Sequence, residues 1–347
     1  KECEDFLGPN GYGGVQISPP TECRLVTEPQ RPWWERYQPI SYLLQSRSGN
    51  EAQLIDMIAR CNRVGVRTYV DVVFNHMTGN DVTRNEIMGI AGSRAVYATR
   101  QYAAVPYGPN DFNEPCRIQN YQSDIEVRNC QLESLLDLNQ SKPYVRQTIV
   151  QLLNRLIDMG VAGFRIDAAK HMWPADLAQI YGALKDLNVK HGFAKSARPY
   201  IYQEVIDLGV ESIKSTEYNA LGCVTEFKHC TELGKIFRGK NALKWLHNWG
   251  TAWSMLPTCD AFVFIDNHDN QRGHGAGGAD ILSYKDGENY KMALIFMLAH
   301  PYGRVTRVMS SYAFNNTDQG PPMLNSGQII NASFDANGQC QHTSGWI

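Results

Sequence analysis

The sequence predicts an α/β protein built as an eight-stranded βα barrel, and three observations carry that reading. Short β-branched runs alternate with longer segments of helical period, in units of roughly 30 to 40 residues, which is the rhythm of repeated βα units. Polar and charged residues collect at the C-terminal ends of several of these runs, the place where barrel active sites are built. No GxGxxG and no Walker pattern follows any of them, which removes the main support for the doubly wound sheet that the same rhythm allows.

The elements follow in order. Residues 14–18 (GVQIS) are strand-like, residues 48–64 place Leu54, Ile58 and Cys61 on one helical stripe, and residues 67–74 (RTYVDVVF) read as the next strand. The stretch from His76 to Leu138 is irregular, rich in Gly, Asn, Pro and Tyr, and too long for an ordinary connection, so a small inserted domain is expected there. The alternation resumes with a helix over 143–159, a strand over 163–168, a helix over 174–189 and a strand over 200–204. Strand-like runs at 223–227, 261–265 and 305–310 follow, with helical segments at 243–249 and 290–299. Residues 1–75 and 139–347 are thus expected to form the two parts of one barrel, with 76–138 inserted between them. Only seven strands are visible.

Composition bounds the function classes. A chain of 347 residues, 43% hydrophobic and 20% charged, can bury a core of full size. A formal net charge of −2 with no long basic run argues against nucleic acid or an anionic membrane surface as partner. No run approaches the length of a membrane span, and the opening Lys1-Glu2-Cys3-Glu4 is not a signal peptide. The nine cysteines form no CxxC pair and no zinc spacing, so disulfides in a secreted protein are favoured over scattered buried thiols. Glycosylation triplets at Asn139, Asn315 and Asn331 support secretion weakly.

The charged strand ends carry the chemistry. Asp71 and Asn75 lie on one strand, Arg165 and Asp167 on the next, Glu204 ends YIYQE, and FVFIDNHDN ends in Asp266, Asn267, His268 and Asp269. Parallel strands of a barrel bring these ends to one face. A single Asp after a strand is as often a helix cap or turn residue. Three acids from separate strands, Asp167, Glu204 and Asp269, accompanied by Arg165, His76, His171 and His268, are better explained as a pocket. Crowded carboxylates repel one another, so one can carry a proton while another stays ionised, the division of labour that glycosidic bond cleavage requires. RPWWERYQP adds Trp33, Trp34 and Tyr37 in a loop, where aromatic faces either stack on sugar rings or pack the loop down.

With these motifs in place, the sequence resembles the α-amylase family of glycoside hydrolases. DVVFNH (Asp71 to His76), GFRIDAAKH (Gly163 to His171), EVIDLG (Glu204 to Gly209) and FIDNHD (Phe264 to Asp269) have the order and spacing of its four signature regions. RPWWERYQP, RGHGAGG (Arg272 to Gly278) and RVMSS (Arg307 to Ser311) are similar to its animal-type members. The resemblance implies a (β/α)8 TIM barrel with a small domain inserted after the third strand, and places the first strand, the last helix and a C-terminal β-domain outside this chain. A barrel left unclosed exposes strand edges, so the segment alone is expected to be poorly soluble and nearly inactive.

The resemblance also implies endo-acting hydrolysis of α-1,4-glucosidic bonds in starch, glycogen and maltooligosaccharides by a retaining double displacement. Asp167 would be the nucleophile, Glu204 the general acid/base and Asp269 the third acid, with Arg165 holding the nucleophile ionised. Substrate contacts carried over to this sequence are Trp33, Trp34, Tyr37, Gln38, His76, Arg165, Lys170, His171, His268 and His274. Gly275, Gly277 and Gly278 would let the following loop close over bound glucan. A calcium ion would be held by Asn75, the Arg128 carbonyl, Asp137 and the His171 carbonyl, an all-oxygen set that suits a hard cation. A chloride ion would sit with Arg165, Asn267 and Arg307, where an anion favours the protonated form of a neighbouring acid. The 300–311 stretch (HPYGRVTRVMSS) carries one residue more than the family pattern, so Arg304 competes with Arg307 for that role. Cys3 would pair with Cys61, Cys116 with Cys130, and Cys340 with a partner beyond Ile347, while Cys23, Cys223, Cys230 and Cys259 are left unassigned. The implied protein is a secreted monomer. Another α-glucoside-active enzyme of the same family and a non-catalytic glucan-binding relative are the competing readings.

Overall fold

A computed structural model describes residues 1–80, 85–335, 341 and 344–347. Its framework is one parallel sheet. In chain order the strands are β1 (Gly14–Ile17), β2 (Arg67–Val72), a short antiparallel ribbon of β3 (Ile87–Met88) and β4 (Arg94–Ala95), then β5 (Gly163–Ile166), β6 (Tyr200–Gln203), β7 (Cys223–Thr225), β8 (Ala261–Phe264) and β9 (Val305–Arg307). Seven of them pair in the order β1-β2-β5-β6-β7-β8-β9, every pair parallel, and the sheet curls without backbone pairing between β1 and β9. β5 and β8 are buried at every residue, as expected for strands covered on both faces, whereas the edge strand β1 is only half-buried throughout.

The helices are α1 (Glu51–Arg63), α2 (Asp124–Asn129), α3 (Pro143–Asp158), α4 (Pro174–Gly182), α5 (Phe227–Phe237) and α6 (Glu288–Ala299). α1 starts where its cap dictates: Asn50 Oδ1 accepts from Gln53 N at 3.0 Å and Gln53 Oε1 accepts from Asn50 N at 2.9 Å, satisfying two donors that the first turn leaves free. α3 and α4 each begin with proline at the first position, where a missing N–H costs nothing. The helix expected over 174–189 ends at Gly182, and a separate 3-10 turn, Val189–His191, starts under the Asn188 cap. The helix expected over 243–249 is a 3-10 segment, Leu243–Asn248. α5 was not foreseen, because the strand reading of 223–227 absorbed its first residue. Glu226 in fact caps it by accepting from Lys228 N at 3.1 Å, and Phe227, Cys230, Leu233 and Ile236 bury one face.

One hydrophobic cluster runs from the barrel into the inserted segment, joining Val70, Phe164 and Val263 to Ile87, Tyr102, Phe112 and Leu138. Among the described residues, the buried hydrophobics of the insert thus belong to a core shared with the barrel. Disulfides Cys3–Cys61 and Cys116–Cys130 form as expected, the first tying the N-terminal turn to α1 and the second closing a loop around α2. Cys23, Cys223 and Cys230 are buried free thiols and Cys259 is exposed. Cys340 lies outside the described residues.

Candidate functional site

Strand register builds the centre of the site. In the parallel pairing Asp71 stands opposite Arg165 and Arg165 opposite Tyr202, so side chains from three neighbouring strands emerge at one level on one side of the sheet. One residue beyond the ends of β5 and β6 come Asp167 and Glu204. The guanidinium of Arg165, 2% exposed, gathers them. Its Nη1 donates to Asp71 Oδ1 at 2.7 Å and to Asp167 Oδ1 at 2.9 Å. Its Nη2 lies 2.5 Å from Glu204 Oε1, yet no N–H is aligned on that oxygen, so this contact is an ion pair rather than a directed hydrogen bond. The other oxygen of Glu204 accepts from Ala168 N at 3.0 Å. Ala168 adopts a left-handed conformation, φ 50°, which costs a non-glycine residue roughly 1–2 kcal/mol and here aims its N–H at Glu204.

One cation cannot neutralise this cluster. Burial pushes Asp167 well above the usual carboxylate range; Arg165 pulls it back, and the charges of Glu204 and Asp71 raise it again. Burial likewise raises Asp71, and burial followed by repulsion from Glu204 brings Asp269 to about 7. Arg165 is thus shared rather than devoted to Asp167, and Asp71, Asp167 and Asp269 titrate together rather than singly. Asp269 lies beyond β8 with His268 Nε2 3.4 Å from its Oδ2. The two chain neighbours that shape its loop are Asn267, whose Oδ1 accepts from Asp269 N at 3.0 Å and Asn270 N at 2.7 Å, and Asn270, whose Oδ1 accepts from Asn267 N at 2.8 Å.

The aromatic loop closes one side. Trp33–Tyr37 forms a 3-10 turn, and Tyr37 OH donates to Asp71 Oδ2 at 2.9 Å while its ring stacks on His268 at 4.8 Å. His76 Nε2 is 2.9 Å from the Tyr37 carbonyl. Trp33 lies 5.5 Å from His268 and 5.8 Å from His274, which is exposed. Burial takes His76 and His171 down to about 4 and His268 well below its ordinary value, so all three are neutral hydrogen-bonding groups at neutral pH. Tyr37, His76, Arg165, Asp167, Glu204, His268 and Asp269 therefore come together, with Trp33 and His274 beside them.

Other expected residues sit further out. Lys170 Nζ donates to the Ile206 carbonyl at 2.9 Å and pairs with Glu211. Trp34 Nε1 is bound to Asp318 Oδ1 at 2.9 Å, and Gln38 Oε1 accepts from Gly79 N at 3.0 Å, so their polar groups are already committed within the protein. Arg307 points into the barrel, its guanidinium 4.9 Å from the Phe264 ring and its Nη1 donating to Gln16 Oε1 at 2.9 Å, whereas Arg304, just before β9, is exposed. Asp71, Gln16, Glu211 and Arg272 take part without having been assigned a role from sequence. Asp71 and Arg272 had a signal, in DVVFNH at a strand end and at the head of RGHGAGG.

Two groups of buried atoms lack hydrogen-bond partners where ions are expected. Asn75 Oδ1 and Asp137 Oδ1 are unpartnered oxygens, and backbone pairing of His76 with Asp137 places their chain segments side by side. His171 Nδ1, at 2.9 Å from the Val127 carbonyl, joins the barrel to α2 at the same seam. Arg307 Nε is an unpartnered donor, and Arg165 Nη2, though ion-paired with Glu204, has no N–H aligned on an acceptor. The first pair fits a hard cation and the second an anion.

Comparison with known proteins agrees with this architecture. Residues 37–303 match the family described as Alpha amylase, catalytic domain. The α-amylase of Tribolium castaneum is 57% identical over 98% of this chain and 68% of its own length, and that of Tenebrio molitor is 54% identical over 98% and 70%. A solved structure of an α-amylase I variant from Eisenia fetida in complex with maltohexaose superposes with a TM-score of 0.93 at 47% identity, covering 98% of this chain and 71% of that one. The parallel sheet is that of the α-amylase barrel, and the chain belongs to the alpha-amylase family of glycoside hydrolases.

Proposed function

We propose that the protein cleaves internal α-1,4-glucosidic bonds of starch, glycogen and maltooligosaccharides with retention of configuration. Asp167 attacks the anomeric carbon while Glu204 gives its proton to the glycosidic oxygen, and the reducing-end portion leaves as an alcohol. Glu204, now a carboxylate, takes a proton from water, which displaces Asp167 and regenerates both groups. Asp269 and the neutral His76 and His268 orient the sugar, and Trp33 and Tyr37 offer it aromatic faces. The observation that carries this reading is the single guanidinium of Arg165 touching Asp71, Asp167 and Glu204, since it holds the nucleophile and the proton donor at one point.

Calcium, when bound, supplies a charge that ties the insert to the barrel, with Asn75 and Asp137 giving side-chain oxygens and Arg128 and His171 carbonyls. Asp137, which burial pushes well above its ordinary value, would then be compensated by a cation. Chloride, when bound, supplies a negative charge between Arg165, Asn267 and Arg307. The two disulfides support an extracellular location, and we read the protein as a secreted monomer.

Reducing-sugar release from soluble starch tests the reading, with the anomer of the first product followed by NMR. The parent should release the α-anomer, and Asp167→Asn should lose at least about 10³-fold in rate. Initial β-anomer would exclude the retaining mechanism. An inactive, well-folded parent would favour a glucan-binding relative.

A further inference from the structure

We propose that Arg272 is a positioning residue for the reaction: it clamps the His268 carbonyl, and so the loop carrying Asp269, against the aromatic segment that forms the side of the cleft. The inference rests on the function proposed above. Arg272 ends the 3-10 turn Asn270–Arg272 directly after that acid and is 5% exposed. Its Nη1 donates to the His268 carbonyl at 2.9 Å. The guanidinium carbon lies 4.2 Å from the ring centre of Phe314, 5.0 Å from Tyr312 and 5.5 Å from Trp33. One side chain thus touches the acid-bearing loop, the aromatic loop and the 312–314 stretch. The aromatic loop is independently anchored to the same C-terminal region, because Trp33 Nε1 donates to the Thr317 carbonyl at 2.7 Å and Trp34 Nε1 to Asp318.

Packing alone does not explain an arginine here. Its Nε and Nη2 make no well-aligned hydrogen bond, although the Tyr312 hydroxyl lies in reach of the guanidinium, and poorly satisfied buried donors cost stability. An apolar chain of similar length would fill the space between the rings without that penalty. What an apolar chain lacks is the N–H that holds the His268 carbonyl, one peptide away from Asp269. A planar guanidinium both stacks on rings and donates from its edge, which a lysine ammonium does not reproduce.

The test compares Arg272→Met and Arg272→Lys with the parent and with Asp167→Asn, measuring kcat and KM on a maltooligosaccharide of defined length together with Tm. Loss of positioning should lower kcat about tenfold or more in Arg272→Met, with KM changed less than about threefold. Its Tm should stay within a few degrees of the parent, because removing two poorly satisfied donors offsets the lost bond to the His268 carbonyl and the ring contacts. Arg272→Lys should recover only part of kcat. Parent kcat in Arg272→Met, or a lower Tm with kcat per folded enzyme unchanged, would overturn the proposal. If Arg272→Met does not fold, Arg272→Lys decides: parent kcat overturns it, and a fall in kcat at constant KM supports it. A parent that is inactive, or is unaffected by Asp167→Asn, would sink the functional reading itself, a different failure from an active parent indifferent to Arg272.

Discussion

The floor and the wall of the cleft are held by different physics. On the floor, Asp71, Arg165, Asp167 and Glu204 are fixed by the register of adjacent parallel strands, so backbone pairing sets their spacing and a guanidinium locks it. The segment 76–138, which we read as the wall, has among its described residues only the two-residue strands β3 and β4, and its buried hydrophobics join the core of the sheet. Besides the core it shares with the sheet, it hangs on single ties to the barrel: His171 Nδ1 to the Val127 carbonyl at 2.9 Å, Trp173 Nε1 to Asn129 Oδ1 at 2.9 Å, Arg128 Nη2 to Glu217 Oε2 at 2.7 Å and Tyr144 OH to the Pro106 carbonyl at 2.8 Å. A strand pairing spreads its energy over many bonds, while a seam of single ties with unpartnered oxygens depends on each member and on what fills it. Damage to the floor should therefore appear in chemistry and damage to the wall in stability.

The largest effect should come from the floor. Glu204→Gln keeps the shape of the side chain but cannot transfer a proton, so kcat should fall about 10³-fold while Tm changes little, because the amide fills the same space. A drop in Tm as large as that of a wall variant would blur the contrast. Next, calcium removal by a chelator should lower Tm by several degrees and speed proteolysis within 76–138 before the barrel is cut. Asp137→Ala should reproduce the Tm loss and remove most of the further response to chelator. Equal protection of both regions after chelation would break the comparison.

A smaller effect lies in the pH dependence of stability. Asp269 has a folded pKa of about 7, above its unfolded value, so the native state binds more protons than the unfolded state between roughly pH 4 and 7, and stability falls as pH rises through that window. Asp269→Asn should therefore gain stability relative to the parent as pH rises from 5 to 8, by roughly 1–3 kcal/mol. A constant difference across that range would show that Asp269 is not the group involved. The smallest effect concerns the anion. Arg307→Gln should abolish the activity difference between chloride-containing and chloride-free buffer, a change of about tenfold or less, whereas Arg304→Gln should preserve it, because Arg304 is exposed.

Much of the architecture was legible because it rests on local pattern. Alternating β-branched and amphipathic runs gave all seven strands of the sheet and most of the helices, and the strand ends displayed their acids in order. Short-range boundaries were less secure. Gly182 stopped α4 early, and α5 was hidden because its apolar spacing begins on the last residue of a strand-like run.

By itself the sequence determined which residue types stand at the ends of parallel strands, because period and spacing are properties of neighbouring residues, and its motifs carried the resemblance to the family. Only the tertiary structure decided that Asp71 shares Arg165 with Asp167 and Glu204, that Gln16 on the first strand holds Arg307 on the last, and that Arg272 reaches back to His268 between three aromatic rings. These contacts join residues up to 291 positions apart. Strand order and register create them, and no local pattern encodes which buried charge will meet which partner.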